Sequence, residues 1–145
     1  MTPAAASRLR VRYAETDAMG IVHHASYLVW CEVGRTDLLR QLGIPYTAFE
    51  AQGIQSPVVE IAVRYRSPAR YDDSIRIHTR LVEIGAATVR FEYDVLREDD
   101  SPESSVLLAT ASSLHCFLNS AGRPVALRKL PQPLRDVLAS LAGNA

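Results

Sequence analysis

The chain is poor in cysteine, with only Cys31 and Cys116, and in aromatic residues, which make up 7% of its 145 positions. Two cysteines are too few for a disulfide framework and stand at no zinc-binding spacing. Both read as small apolar fillers, and neither lies in a segment with other signs of a site, which sets a thiol nucleophile behind other chemistry. Net charge is missing too, since 16 Lys and Arg balance 16 Asp and Glu. Such a chain has no field to gather a polyanion, so nucleic acid is not an expected partner and any phosphate contact must be local. No apolar run approaches the roughly 18 residues of a membrane span, and residues 1–7 lack the apolar centre of a signal peptide. The expected compartment is the cytoplasm.

What is present is an ordinary globular composition, 48% hydrophobic and 22% charged. It predicts one domain over residues 1–145 with a single core. Residues 7–13 set Leu9, Val11 and Tyr13 against Arg8, Arg10 and Arg12, the period of a strand with one buried face. Residues 14–22 have no period, and Gly20 marks a turn or a close backbone approach. From 24 to 42, Tyr27, Trp30, Cys31, Gly34, Leu38 and Leu42 recur at three and four, with Gly43 and Pro45 as stop signals. Leu28, Val29, Val33 and Leu39 occupy the other sides, which predicts a long helix enclosed around most of its circumference. A short helix over 47–52 follows, closed by Gly53.

Period two then returns. Ile61, Val63 and Tyr65 alternate with polar neighbours until Pro68 and the Asp72-Asp73 pair interrupt them. Ile75, Ile77, Thr79 and Leu81 predict a third strand, and Val89, Phe91, Tyr93 and Val95 a fourth, with Gly85 between them. Asp99, Asp100, Ser101 and Pro102 form a polar turn, residues 106–118 a long fifth strand, and 133–141 a terminal helix. One strand, one helix and then four successive strands is an α+β order, because a parallel sheet would need a crossover between every pair. An antiparallel sheet curled around the helix buries the most apolar surface.

The densest group of ionisable residues runs from Tyr13 to Tyr27, in the loop and at the mouth of the helix. Free N–H groups of a first helical turn can stabilise an oxyanion, and a carboxylate opposite them can act as nucleophile or as general base on water. Asp17 fits that role, and fits equally a cap or turn residue, with Glu15 then solvated. Adjacent His23 and His24 do not match helical metal spacing, which leaves a metal site with Asp17 and Glu32 a minor alternative. Glu32 inside an apolar helix needs a cleft or a partner, and Arg35, three residues on, can supply the latter.

The segment Tyr13-x-Glu-Thr-Asp-x-x-Gly-Ile-Val-x-His-Ala-Ser-Tyr27 resembles the active-site signature of hotdog-fold acyl-CoA thioesterases of the 4-hydroxybenzoyl-CoA thioesterase type, nearest to the branch associated with the Tol-Pal system. Val63-Arg-Tyr-Arg-Ser-Pro-Ala-Arg-Tyr-Asp-Asp73 is similar to the strand and turn after the helix in that branch, and the resemblance runs over roughly residues 9–131. It implies the hotdog fold, a central helix wrapped by a five-stranded antiparallel sheet. It also implies pairing into a dimer with the site between subunits, and commonly a tetramer.

Further implied are an acyl-CoA substrate, no cofactor and no metal, with Asp17 as the catalytic carboxylate and the His24 backbone N–H on the thioester carbonyl. Gly20 and Tyr27 then border the substrate, while Arg64, Arg66 and Arg70 either meet the phosphates of coenzyme A or form a solvated face. Met19 and His23 depart from the family pattern and bear on the acyl preference. A hotdog dehydratase or hydratase would place its carboxylate differently. An acyl-CoA or acyl-carrier-protein binding module would keep the site without turnover.

Overall fold

The structure is a computed structural model that describes all residues except Met1, Asp100, Asn144 and Ala145, so Asp100 of the expected polar turn lies outside the described residues. Five antiparallel strands, β1 (Ala4–Arg10), β2 (Val58–Tyr65), β3 (Ser74–Ile84), β4 (Thr88–Arg97) and β5 (Val106–Cys116), form one sheet in the order β1-β3-β4-β5-β2. Helix α1 (Ser26–Gln41) lies across β1 and β3, followed by α2 (Tyr46–Ala51), and α3 (Gln132–Gly143) closes the far end against β3.

The inner strands follow their period-two patterns. Ile75, Ile77, Thr79 and Leu81 of β3 and Val89, Phe91, Tyr93 and Val95 of β4 are buried, as β-branched and aromatic residues on a pleated, half-buried surface should be. Against them α1 turns Tyr27, Trp30, Cys31, Gly34 and Leu38, the face its spacing predicts.

Gly34 lets that helix approach closely. A methyl group there would run into Thr79 Oγ1 and come within 3.0 Å of Ile77 Cγ2, both on buried residues of β3. Gly34→Ala is therefore expected to cost about 1–3 kcal/mol in denaturant unfolding, because overpacking outweighs the helix propensity that alanine adds. A stabilised variant would show that the helix can lift from the sheet without loss.

Three expectations are corrected, and a fourth, the Glu32–Arg35 pair, is met on different terms. The first strand spans Ala4–Arg10, and Tyr13, predicted to continue its buried face, stands 77% exposed on a 3-10 turn, Tyr13–Glu15. The chain turns there because Glu15 is drawn inward. Helix α1 is not enclosed all round, since Leu28, Val29 and Val33 are exposed. Strand β2 does not bury Tyr65, because it is an edge strand hydrogen-bonded only to β5, and Val58 and Val59 are exposed with it. Finally, Arg35 does lie 3.8 Å from Glu32, but the carboxylate is 69% exposed and the shielded partner is Arg35, at 16%.

Candidate active site

Glu15 organises the segment between β1 and α1. Its carboxylate accepts hydrogen bonds from the Arg12 backbone N–H at 2.8 Å and from the Trp30 indole Nε1 at 2.7 Å, while its carbonyl accepts the His23 N–H at 2.8 Å. At 6% exposure Glu15 is buried, not solvated. Burial pushes its pKa up, but the hydrogen bonds from Arg12 and Trp30 and the Arg12 charge together outweigh that and hold it below the ordinary glutamate range.

Asp17 sits at the tip of the loop so fixed. Its backbone N–H donates to Ile21 O, Gly20 N–H returns to Asp17 O at 2.9 Å, and Gly20 takes the positive φ of 77° that this reversal requires. Its Oδ1 accepts the Met19 N–H at 2.9 Å, an Asx-type turn. Oδ2 makes no hydrogen bond among the described residues, and its nearest charged-capable neighbour is His23 Nδ1 at 3.9 Å. Asp17 is thus a turn former through one oxygen and free through the other.

The chain then enters α1. Ser26 N–H donates to His23 O and Tyr27 N–H to His24 O, whereas the His24 and Ala25 N–H groups have no acceptor among the described residues. They are the orphan donors expected at a helix start. Tyr65 Oη donates to His24 O at 2.8 Å, and Tyr27 Oη accepts the Ala69 N–H at 3.3 Å, so two tyrosines packed edge to face hold this end of the helix.

Asp17, Met19, His24, Tyr27, Tyr65 and Arg66 line one groove of ≈ 340 Å³. Of the expected residues, Asp17, His24, Tyr27 and Arg66 meet there, and Gly20 shapes its loop. Tyr27 is almost wholly buried and acts from behind. Arg64 and Arg70 are exposed away from the groove lining. Tyr65, read from its pattern as a strand residue, belongs to the site. Its place at the end of β2, just before Arg66 and Pro68, was the available signal.

Tyr65→Phe should cost about 0.5–1.5 kcal/mol of stability, the worth of one hydrogen bond, and lower kcat/KM several-fold by loosening the helix start. Steady-state kinetics beside a thermal melt separates the two.

No three His, Cys, Asp or Glu side chains converge on a point among the described residues. The Cys31 thiol is buried, and burial pushes its pKa up to about 12 against a smaller opposing pull from Arg35. A carboxylate with one oxygen unpaired among the described residues, in the same groove as the helix-start residue His24, is suited to acyl transfer.

The profile of the thioesterase-like superfamily matches residues 11–141. The chain belongs to this superfamily. Its sheet curled about α1 is the hotdog fold, and the protein is a hydrolase of thioesters. It is similar to YneP of Bacillus subtilis, 38% identical over 83% of this chain and 85% of that one. It is also similar to the acyl-CoA thioesterase YbgC of Haemophilus influenzae, 33% identical over 83% and 86%. Among solved structures, the DHNA-CoA thioesterase of Staphylococcus aureus superposes with a TM-score of 0.88 at 26% identity, over 97% of this chain and 91% of that one. No helix of the described residues is long and apolar enough to cross a membrane.

Proposed function

We propose that this thioesterase hydrolyses acyl-coenzyme A, with Asp17 as the catalytic carboxylate and the helix start at His24 as the oxyanion site. The observation that carries this is that Asp17, whose Oδ2 has no hydrogen-bond partner among the described residues, and His24, whose N–H has none there either, line the same groove. The thioester carbonyl accepts the His24 N–H, and Asp17 attacks the carbonyl carbon or orients a water to do so. The carbon–sulfur bond then breaks, water supplies the acid's oxygen and the thiol's proton, and free acid and coenzyme A leave. A thiolate leaves far more readily than an amine, so one carboxylate and one helix start suffice without a triad. Arg66 is the one Lys or Arg among the residues lining the groove, and in this proposal it meets the phosphates of coenzyme A. The signature around Asp17 supports the 4-hydroxybenzoyl-CoA type and its Tol-Pal-associated branch, and two free cysteines fit a reducing cytoplasm.

The working unit in this proposal is a dimer, with the tetramer a further stacking of dimers. Strand β2 is a sheet edge carrying exposed Val58, Val59 and Tyr65, and α1 exposes Leu28, Val29 and Val33. A two-fold axis across β2 pairs the strand antiparallel with itself in a second copy, which satisfies the open edge and covers these side chains. Lysines at Val29 and Val59 together should yield a monomer by analytical ultracentrifugation. A dimer that survived both would place the interface elsewhere.

Thiol release from short, long, aromatic and branched acyl-CoAs tests the activity. Hydrolysis of at least one class is expected, and measurable binding with no cleavage of any would instead identify a binding module.

A further inference from the structure

A second cavity, ≈ 270 Å³, lies between α1, α2, the start of β2 and the inner face of the sheet, and nothing in the mechanism above uses it. Its walls are mainly apolar, with Leu39, Phe49, Leu81, Phe91 and Phe117 among them. At one side stands Arg35, only 16% exposed, whose one ion pair among the described residues is the loose 3.8 Å contact with exposed Glu32. A guanidinium offers five donors, and Glu32 with the Tyr93 hydroxyl leaves some of them free for an acceptor in the cavity.

Behind it runs a buried polar chain. Tyr93 Oη, beside Arg35, lies 2.6 Å from Ser113 Oγ, which lies 2.7 Å from His115 Nε2, and His115 reaches the cavity wall. Burial, helped by the Arg35 charge, pushes the His115 pKa down to about 4, so the imidazole is neutral at physiological pH. Arg35 is then the single positive charge facing the cavity among its lining residues, and Glu32 the single negative one, at the solvent side.

We propose that this cavity is the acyl compartment of the thioesterase, and that it takes a compact acyl group, about the size of one aromatic ring, whose far end carries a carboxylate held by Arg35. The proposal rests on the acyl-CoA hydrolase function above. The size follows from volume, because a cavity of about 150 Å³ holds a benzene, so ≈ 270 Å³ has room for a ring with its substituent. The carboxylate follows from Arg35, whose planar fork matches it through two parallel hydrogen bonds.

Within one chain the cavity and the Asp17 groove stand at opposite ends of β2, Val58 lining the first and Tyr65 the second. Along α1 the carbonyl site at His24 and the guanidinium of Arg35 are eleven residues apart, about 16 Å at the helical rise and too far for a compact acyl group. Antiparallel self-pairing of β2 removes the difficulty, since it sets the Tyr65 end of a second copy beside the Val58 end of this one. The thioester then lies on Asp17 of one copy while the acyl group enters the cavity of the other.

The test compares benzoyl-CoA, 4-hydroxybenzoyl-CoA and 4-carboxybenzoyl-CoA on wild type, Arg35→Met and Arg35→Lys, with thermal melts of all three proteins. Wild type should favour the carboxylate about tenfold or more in kcat/KM, mostly through KM, as expected of a bidentate charged contact. Arg35→Met should lose that preference, and Arg35→Lys should keep part of it. A wild type blind to the terminal group, or an Arg35→Met that loses all three substrates equally, overturns the assignment.

Binding of the free acids, benzoate against terephthalate, reads the same preference without catalysis. If no thioester is cleaved but terephthalate binds in an Arg35-dependent way, the hydrolase function fails and the cavity assignment stands. Mixed dimers of Asp17→Asn with Arg35→Met should recover turnover of the carboxylate-ended substrate, because one of their two sites combines an intact Asp17 with an intact cavity. No recovery in formed mixed dimers would overturn the shared site.

Discussion

Asp17→Asn is expected to lower kcat for acyl-CoA cleavage by about 10²-fold or more while melting at the wild-type temperature. The substitution is informative because Asp17 has two separable tasks. Oδ1 accepts the Met19 N–H and shapes the loop, whereas Oδ2 has no hydrogen-bond partner among the described residues, and Asp17 lines the groove. Asparagine keeps an acceptor for Met19 and removes only the charge and the free carboxylate oxygen. Asp17→Ala removes both, and should lose the same activity together with about 0.5–1.5 kcal/mol of stability from the turn hydrogen bond. If asparagine were fully active and alanine inactive, Asp17 would be a turn residue, and the reacting group would have to be sought elsewhere in the groove.

The largest expected stability effect belongs to Glu15. Glu15→Ala strips an acceptor from the Trp30 indole N–H, which is buried at 1% exposure, and from the Arg12 N–H, and should cost about 3 kcal/mol in denaturant unfolding. The same carboxylate predicts an acid dependence. Its folded pKa is depressed, so its contribution is fully present above the unfolded glutamate pKa of about 4.3 and is lost as pH falls through the lower folded value. Glu15→Gln should flatten that part of the stability profile below about pH 4.3 and leave other acid-labile contributions in place. Equal slopes for the two proteins would mean that the Trp30 and Arg12 contacts do not depend on the charge.

The elements with a clean period were legible in the sequence. The buried face of α1 and the alternation of β3 and β4 emerge where predicted, because packing against neighbours on both sides leaves a strong apolar signal. The Asp17 loop and the His24 helix start were legible through local chemistry, a carboxylate, a glycine and a helix start in one short stretch.

What was not legible depends on contacts between distant segments. Alternation ran on through Tyr13, yet the strand ends at Arg10, since Glu15 must turn inward to reach Trp30, fifteen residues away. The sheet order leaves β2 on an edge, which no pattern in Ile61, Val63 and Tyr65 reveals. Arg35 and His115 flank one cavity although eighty residues part them, and only the fold joins them.

The central claim is that an acyl-CoA bound by this protein is cleaved through Asp17. A single-turnover experiment, with protein in excess over acyl-CoA and all products quantified by mass spectrometry, tests it most directly. Wild type should return equal amounts of free acid and coenzyme A, while Asp17→Asn binds the acyl-CoA and returns it intact over the same interval. Intact thioester recovered from the wild type, or complete conversion by Asp17→Asn, would contradict it.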